Sequence, residues 1–157
     1  MLSTPHLLVG AAIGASTGDP VLAFAGGFLS HLVLDAIPHT DQELLDNPEH
    51  KGLLPADYFP VILDIIVGWA IVLYFTRDMA LVAACPILLG ALGGIAPDLI
   101  SNVPFWSPAL LKLPVIKQFH ALHVLANHHI LSEQPKMLGV TTQFVAIVIA
   151  VTILARL

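Results

Sequence analysis

The chain has 157 residues, 57% of them hydrophobic and only 11% charged, with a mean hydropathy of +0.86. Those values exclude an ordinary soluble domain and point to a single integral membrane domain over residues 1–157. A net charge of −5 with six Lys and Arg leaves no basic patch for nucleic-acid phosphates. One cysteine, Cys85, excludes disulfides and thiolate zinc clusters and reads as a small packing residue.

The opening stretch MLSTPHLLVGAAIGA lacks the basic start of a signal peptide and reads as mature structure. Hydropathy predicts an all-α polytopic membrane protein of about five helices near residues 5–17, 20–37, 58–75, 79–100 and 137–155. About 20 residues at 1.5 Å each cross a bilayer core, which the last four segments satisfy. The first is short, so it forms a hairpin with the second across STGDP or a re-entrant element. Gly10, Gly14, Gly26 and Gly27 would let these two helices approach closely. Asp19 before Pro20 reads as a turn and helix-start residue.

Two hydrophilic connections separate the later spans. His39 to Asp57 is acidic and reads as a solvated loop, whereas SNVPFWSPALLKLPVIKQF opens a connection over 101–136 that suits an interfacial helical segment. If all five segments cross, both connections and the chain start share one face. That face gathers His6, His31, Asp35, His39, Asp41, Asp64, Asp98 and every later histidine. It also carries four lysines against two arginines opposite, so the positive-inside rule assigns it to the cytoplasm.

His31 and Asp35 stand four apart on one helix and project from the same side, near His39. Asp35, Asp64 and Asp98 sit in apolar surroundings with no Lys or Arg in the same spans, and unpaired carboxylates there would be protonated or expelled. Divalent cations compensate them economically. FHALHVLANHHI adds His120, His123, His128 and His129 within ten residues. His and carboxylate ligands without cysteine favour zinc, with manganese or iron as alternatives, in two or three ions that activate water for hydrolysis. The bland readings are a cap role for His6 or Asp98, a solvated His50, and an Asx-type turn at PHTD. For Asp64 the alternative is a carboxylate that orients a ligand histidine without touching the ion.

The motifs HLLVGAAIG, GGFLSHLVLDAIPHTD, APD and the His-x4-His of HVLANHHI resemble those of the bacterial and archaeal membrane-bound metal-dependent hydrolases. That group is similar, by its HxxxD pattern, to zinc-dependent phospholipase C. The resemblance covers about two thirds of the chain and implies a prokaryotic cell-membrane protein, all-helical, with hydrolase activity. Matched residue by residue, it implies ligation by His6, His31, Asp35, Asp98, His123 and His128. In family members PD and His-x4-His precede the SHxxxD helix, whereas here they follow it, and Asn127 and His129 stand where Thr and Ser are common.

The leading expectation is a membrane-embedded phosphoesterase acting on a lipid or lipid-linked phosphate, the membrane lipid being both environment and substrate. Metal ligands would be His6, His31, Asp35, His39, Asp98, His120, His123, His128 and His129. Asp35 would be essential to catalysis, and Asp64 or Asp41 could serve as general base. The alternative is a protein that binds or transports transition-metal ions or protons, which should carry polar residues through the whole bilayer. A haem protein ranks third, because three aspartates are poor neighbours for haem.

Overall fold

A computed structural model describes residues 1–39, 55–128 and 136–157, all in helices and short connections with no strand among them. The helices are α1 (Ser3–Thr17), α2 (Pro20–Asp35), α3 (Pro55–Thr76), α4 (Leu81–Ser101), α5 (Ser107–Leu110), α6 (Pro114–His128) and α7 (Lys136–Leu154). Each of the five apolar segments read from hydropathy is one of these helices, and α5 with α6 forms the expected helical connection.

Among the described residues three helices are long and apolar enough to cross a membrane, through Phe59–Thr76, Leu81–Ser101 and Met137–Leu154. The expectation of a crossing at 20–37 is corrected in length. α2 has 16 residues, roughly 24 Å at 1.5 Å per residue, against about 30 Å of hydrocarbon. It stops at Asp35 because Pro38 disfavours helical backbone in the residue before it. α1, with 15 residues, is equally short.

The tight turn between them follows from local chemistry. Gly18 ends α1 in the left-handed region (φ 64°), and its N–H donates to the Gly14 carbonyl at 3.0 Å. The Asp19 carboxylate then accepts from the amides of Val21 (2.9 Å) and Leu22 (2.8 Å), with Pro20 at the first helical position. This is the helix-start role that its place before a proline predicts.

α1 runs through the middle of the bundle, packed by α2, α3, α4 and α7. Leu7, Leu8 and Ala11 are wholly buried beside Val72 of α3, Ile87, Ala91 and Ile95 of α4, and Ala150 and Leu154 of α7. The glycines do their work in a three-way contact and not mainly between α1 and α2. A Cβ on Gly90 of α4 would lie 2.1 Å from the Gly10 carbonyl oxygen, and one on Gly27 of α2 would lie 2.2 Å from the Gly90 carbonyl oxygen. No side chain fits between these backbones, so dispersion contacts operate at their shortest range along the whole seam. Gly94, a turn further along α4, is equally tight: a Cβ there would lie 2.2 Å from the His6 carbonyl oxygen.

Gly90→Ala should therefore be among the most damaging single-methyl changes in the chain, on the order of 3 kcal/mol, because backbone and not a flexible side chain must yield. Gly18→Ala should cost about 1 kcal/mol, from backbone strain alone. Thermal unfolding of the two variants in the same detergent gives the order, and equal melting temperatures would contradict this account of the seam.

Candidate metal centre

At the start of α1 three successive backbone segments are held by side chains from three different helices. The Met1 nitrogen donates to Asp35 Oδ1 of α2 at 2.9 Å, the Leu2 amide to Gln143 Oε1 of α7 at 3.2 Å, and the Thr4 amide to Asp64 Oδ2 of α3 at 3.0 Å. The Thr4 hydroxyl also donates to the Asp64 carbonyl at 2.8 Å. The amides of a helix's first turn have no partner within the helix, and inside an apolar bundle each lost bond is costly. Gln143 and Asp64 satisfy two such amides, Asp35 pairs with the Met1 terminal ammonium, and together they place the first turn of α1, with His6 behind it, against the end of α2.

Asp35 is the hub. Its side chain is 2% exposed, and its Oδ2 lies 3.0 Å from His31 Nε2, one turn back on α2, and 3.0 Å from His123 Nε2 of α6. The two imidazole nitrogens are 3.1 Å apart. Asp98 Oδ1, on the last turn of α4, is 3.6 Å from each of them. On the other side of the carboxylate, His6 Nε2 is 3.1 Å from Asp35 Oδ1.

The tautomer of His31 is dictated by its other nitrogen. Nδ1 lies 2.7 Å from the Gly94 carbonyl, which can only accept, so Nδ1 carries the hydrogen. The neutral ring then presents a lone pair at Nε2, directed at a carboxylate oxygen and at a second imidazole nitrogen, all within about 3 Å. Three such atoms this close need a hydrogen or a cation between them: an N–H on His123 Nε2, with the Ser101 hydroxyl donating to Nδ1, an added proton, or a metal ion. Ligands 2.0–2.1 Å from a tetrahedral ion are about 3.3 Å apart. The three atoms at 3.0–3.1 Å suit one face of such a shell, and Asp98 Oδ1 stands across the edge between the two nitrogens.

His6 strengthens the metal reading. The ring is fully buried and stacks on His31 with centroids 3.9 Å apart. Although Nε2 is near Asp35 Oδ1, the angles are not those of a hydrogen bond, and neither ring nitrogen has a hydrogen-bond partner among the described residues. Buried polar atoms left in that state are rare and call for a missing partner. His6, His31 and Asp98 form a second set of ligand atoms within 4.8 Å of one another, beside that of His31, Asp35 and His123. The cap role considered for His6 does not apply, since it sits inside α1, and α4 continues unbroken through Asp98 to Ser101, so Asp98 caps no break.

A histidine that is to hold a metal needs an orienting partner, and His31 and His123 each have one. His31 is fixed by the Gly94 carbonyl and His123 by the Ser101 hydroxyl, 3.3 Å from its Nδ1. Phe119 docks α6 on α2 through Phe28, ring centroids 5.1 Å apart, and the His123 ring stacks on Phe119.

The remaining expected residues fall elsewhere. Asp64 is engaged with the start of α1 and belongs to neither set of ligand atoms, which makes it a tertiary helix cap. His39 is buried, and its Nδ1–H donates to the Ile37 carbonyl at 2.8 Å. His120 is half-buried with Nδ1 lacking a partner among the described residues. Asp41 and His129, like the bulk of the acidic loop, lie outside the described residues, and of His128 only the backbone at the end of α6 is described. Reading the sequence missed Ser101, Asn102, Gln143 and the Gly94 carbonyl. Asn102 had a signal, being four residues after Asp98, whereas a backbone carbonyl has none.

Asp64→Ala should lower the stability of the metal-free protein by about 1 kcal/mol, the usual worth of a helix cap, and leave zinc affinity within a few-fold of wild type. His123→Ala should do the reverse, cutting zinc affinity in a chelator competition by well over tenfold. A collapse of zinc binding in Asp64→Ala, with the fold intact, would return Asp64 to the centre. Comparison of the chain with protein-family models, curated proteins and solved structures returned no match, so the site's own geometry carries the functional reading.

Proposed function

We propose that this protein is a membrane-embedded, metal-dependent hydrolase whose centre is built by His31, Asp35, Asp98 and His123. The single observation behind the reading is the convergence of His31 Nε2, His123 Nε2 and Asp35 Oδ2 within 3.1 Å of one another, with the His31 lone pair turned inward by Gly94. The donor set of two imidazoles and two carboxylates, without sulfur, suits zinc, and also manganese or iron. Asp35 Oδ1 lies 3.1 Å from His6 Nε2 and 2.9 Å from the Met1 nitrogen; His6 with His31 and Asp98 would hold a second ion, and a third would depend on residues such as His39 and His120.

A divalent ion held by these residues would supply Lewis-acid polarisation of a phosphoryl oxygen and a nucleophilic water at neutral pH. The chain's own contribution is position and exclusion of water. The α1–α2–α4 seam holds His6, His31 and Asp35 almost without exposure, while Asp98, a quarter exposed, is the opening of the group. A lipid or lipid-linked phosphate is the substrate class this surface favours. α6, which supplies His123, turns Val115, Leu122 and Leu125 outward, and the preceding connection exposes Phe105 and Trp106. With Lys112 and Lys117 in the same stretch and no acid between Asn102 and His128, the face suits the headgroup layer of a membrane.

Proton or metal-ion transport is the second reading. The far half of the bundle argues against it, since α1 there is lined by Ala11, Ala12 and Ile13 and closes on α4 through Gly10 and Gly14. A transport path would need polar groups along that half.

Elemental analysis of the detergent-purified protein should find one or two zinc, manganese or iron ions per chain, absent when His31→Ala and Asp35→Asn are combined. With metal restored, phosphate release from phospholipid or lipid phosphate should fall at least about 100-fold in Asp35→Asn. A metal-replete wild type holding no ion would remove the hydrolase reading and leave hydrogen bonding to join the group. Bound metal without turnover on any phosphorylated lipid would remove the substrate class alone.

A further inference from the structure

The buried ligands are each fixed from inside the bundle. His31 is held by the Gly94 carbonyl and His123 by the Ser101 hydroxyl, and Asp35 is held by the Met1 nitrogen on one oxygen and lies 3.0 Å from two imidazoles on the other. Asp98 differs. It stands on the last turn of α4 with its side chain 25% exposed, and it is farther from the two histidine nitrogens than Asp35 is. An exposed carboxylate near a helix end has other rotamers and bulk water to choose from, so packing alone does not keep it turned inward.

The same oxygen that faces the histidines, Asp98 Oδ1, accepts a 2.8 Å hydrogen bond from Asn102 Nδ2. Asn102 is the C-terminal cap of α4, its backbone held by an N–H to Asp98 carbonyl bond of 2.8 Å. Two bonds between one pair of residues, main chain to main chain and side chain to side chain, fix the amide over the carboxylate. Because the amide donates to Oδ1 and leaves that oxygen its second lone pair, it restrains Asp98 without competing for the lone pair a cation needs.

We propose that Asn102 is a positioning residue of the metal centre, which holds Asp98 Oδ1 toward the ion at the open side of the site. The proposal rests on the metal reading above and goes beyond it by assigning a role to a residue outside the ligand set. Helix capping alone would be a different role, and the two are separable. Asn102 caps with ordinary right-handed geometry (φ −117°, ψ −3°), which glycine also adopts, so Asn102→Gly keeps the helix end and removes only the amide. Asn102→Gln keeps an amide donor.

The experiment is zinc affinity by chelator competition, together with the visible absorption of the cobalt-substituted protein, for wild type and both variants in the same detergent. The expected result is a roughly 10- to 100-fold loss of zinc affinity in Asn102→Gly, the usual cost of removing an orienting partner. Its cobalt band should change in intensity, as one carboxylate leaves the ion. The metal-free melting temperature should stay near wild type, and Asn102→Gln should recover most of the affinity. Wild-type zinc affinity and an unchanged cobalt band in Asn102→Gly would overturn the proposal while leaving the metal centre standing. So would an affinity loss that only follows a lowered metal-free melting temperature in both variants. A wild-type protein that binds neither zinc nor cobalt would overturn the centre and this role with it.

Discussion

The contact on which the rest of the structure depends is the approach of three helix backbones at Gly90 and Gly94 of α4. Where a Cβ would fall 2.1–2.2 Å from a neighbouring carbonyl oxygen, only glycine lets α1 and α2 lie against α4 at all. Lipid tails are as apolar as leucine, so helices in a membrane gain little from hiding side chains and must gain from close packing. The seam supplies that packing and has a chemical consequence. Gly94 brings the His6 backbone to α4 and, through its own carbonyl, sets the tautomer of His31. One residue without a side chain thus links helix packing to the orientation of His31.

A second constraint is electrostatic. α1 begins inside the bundle, where Gln143 and Asp64 accept the Leu2 and Thr4 amides and Asp35 pairs with the Met1 terminal ammonium, each delivered by a different helix. Two of these are carboxylates, and their tasks diverge by partner. Asp64 meets backbone N–H and a hydroxyl and is spent on structure. Asp35 meets three imidazoles and, among the described residues, is the one carboxylate with both oxygens engaged by ring nitrogens. Equal side chains in similar apolar helices therefore do different chemistry, decided by which donors the packing brings within about 3 Å.

Much of this was legible in the residues. The five apolar helices and the helical connection follow from hydropathy, Asp19 as a helix start follows from the proline behind it, and His31 with Asp35 on one face follows from the helical period. The gathering of His6, Asp98 and His123 at the same end follows from counting helices. The length of α2 was overestimated because hydropathy continues through Ala36 and Ile37 while backbone geometry, limited by Pro38, does not.

The residues alone therefore fix what short-range physics fixes: helix identity, the turn at Gly18 and Asp19, the i, i+4 pairing of His31 with Asp35, and the lack of Lys or Arg in the spans that carry Asp35, Asp64 and Asp98. What only the tertiary structure decided is which groups meet across helices. It separated Asp64 from Asp35, joined His123 to His31, and enlisted Gly94, Ser101 and Asn102 as supports. The reason is that such meetings depend on the axial shift and rotation of one helix against another. Backbone-to-backbone contacts at glycines set these to within an ångström, and the periodicity of a single helix does not encode them.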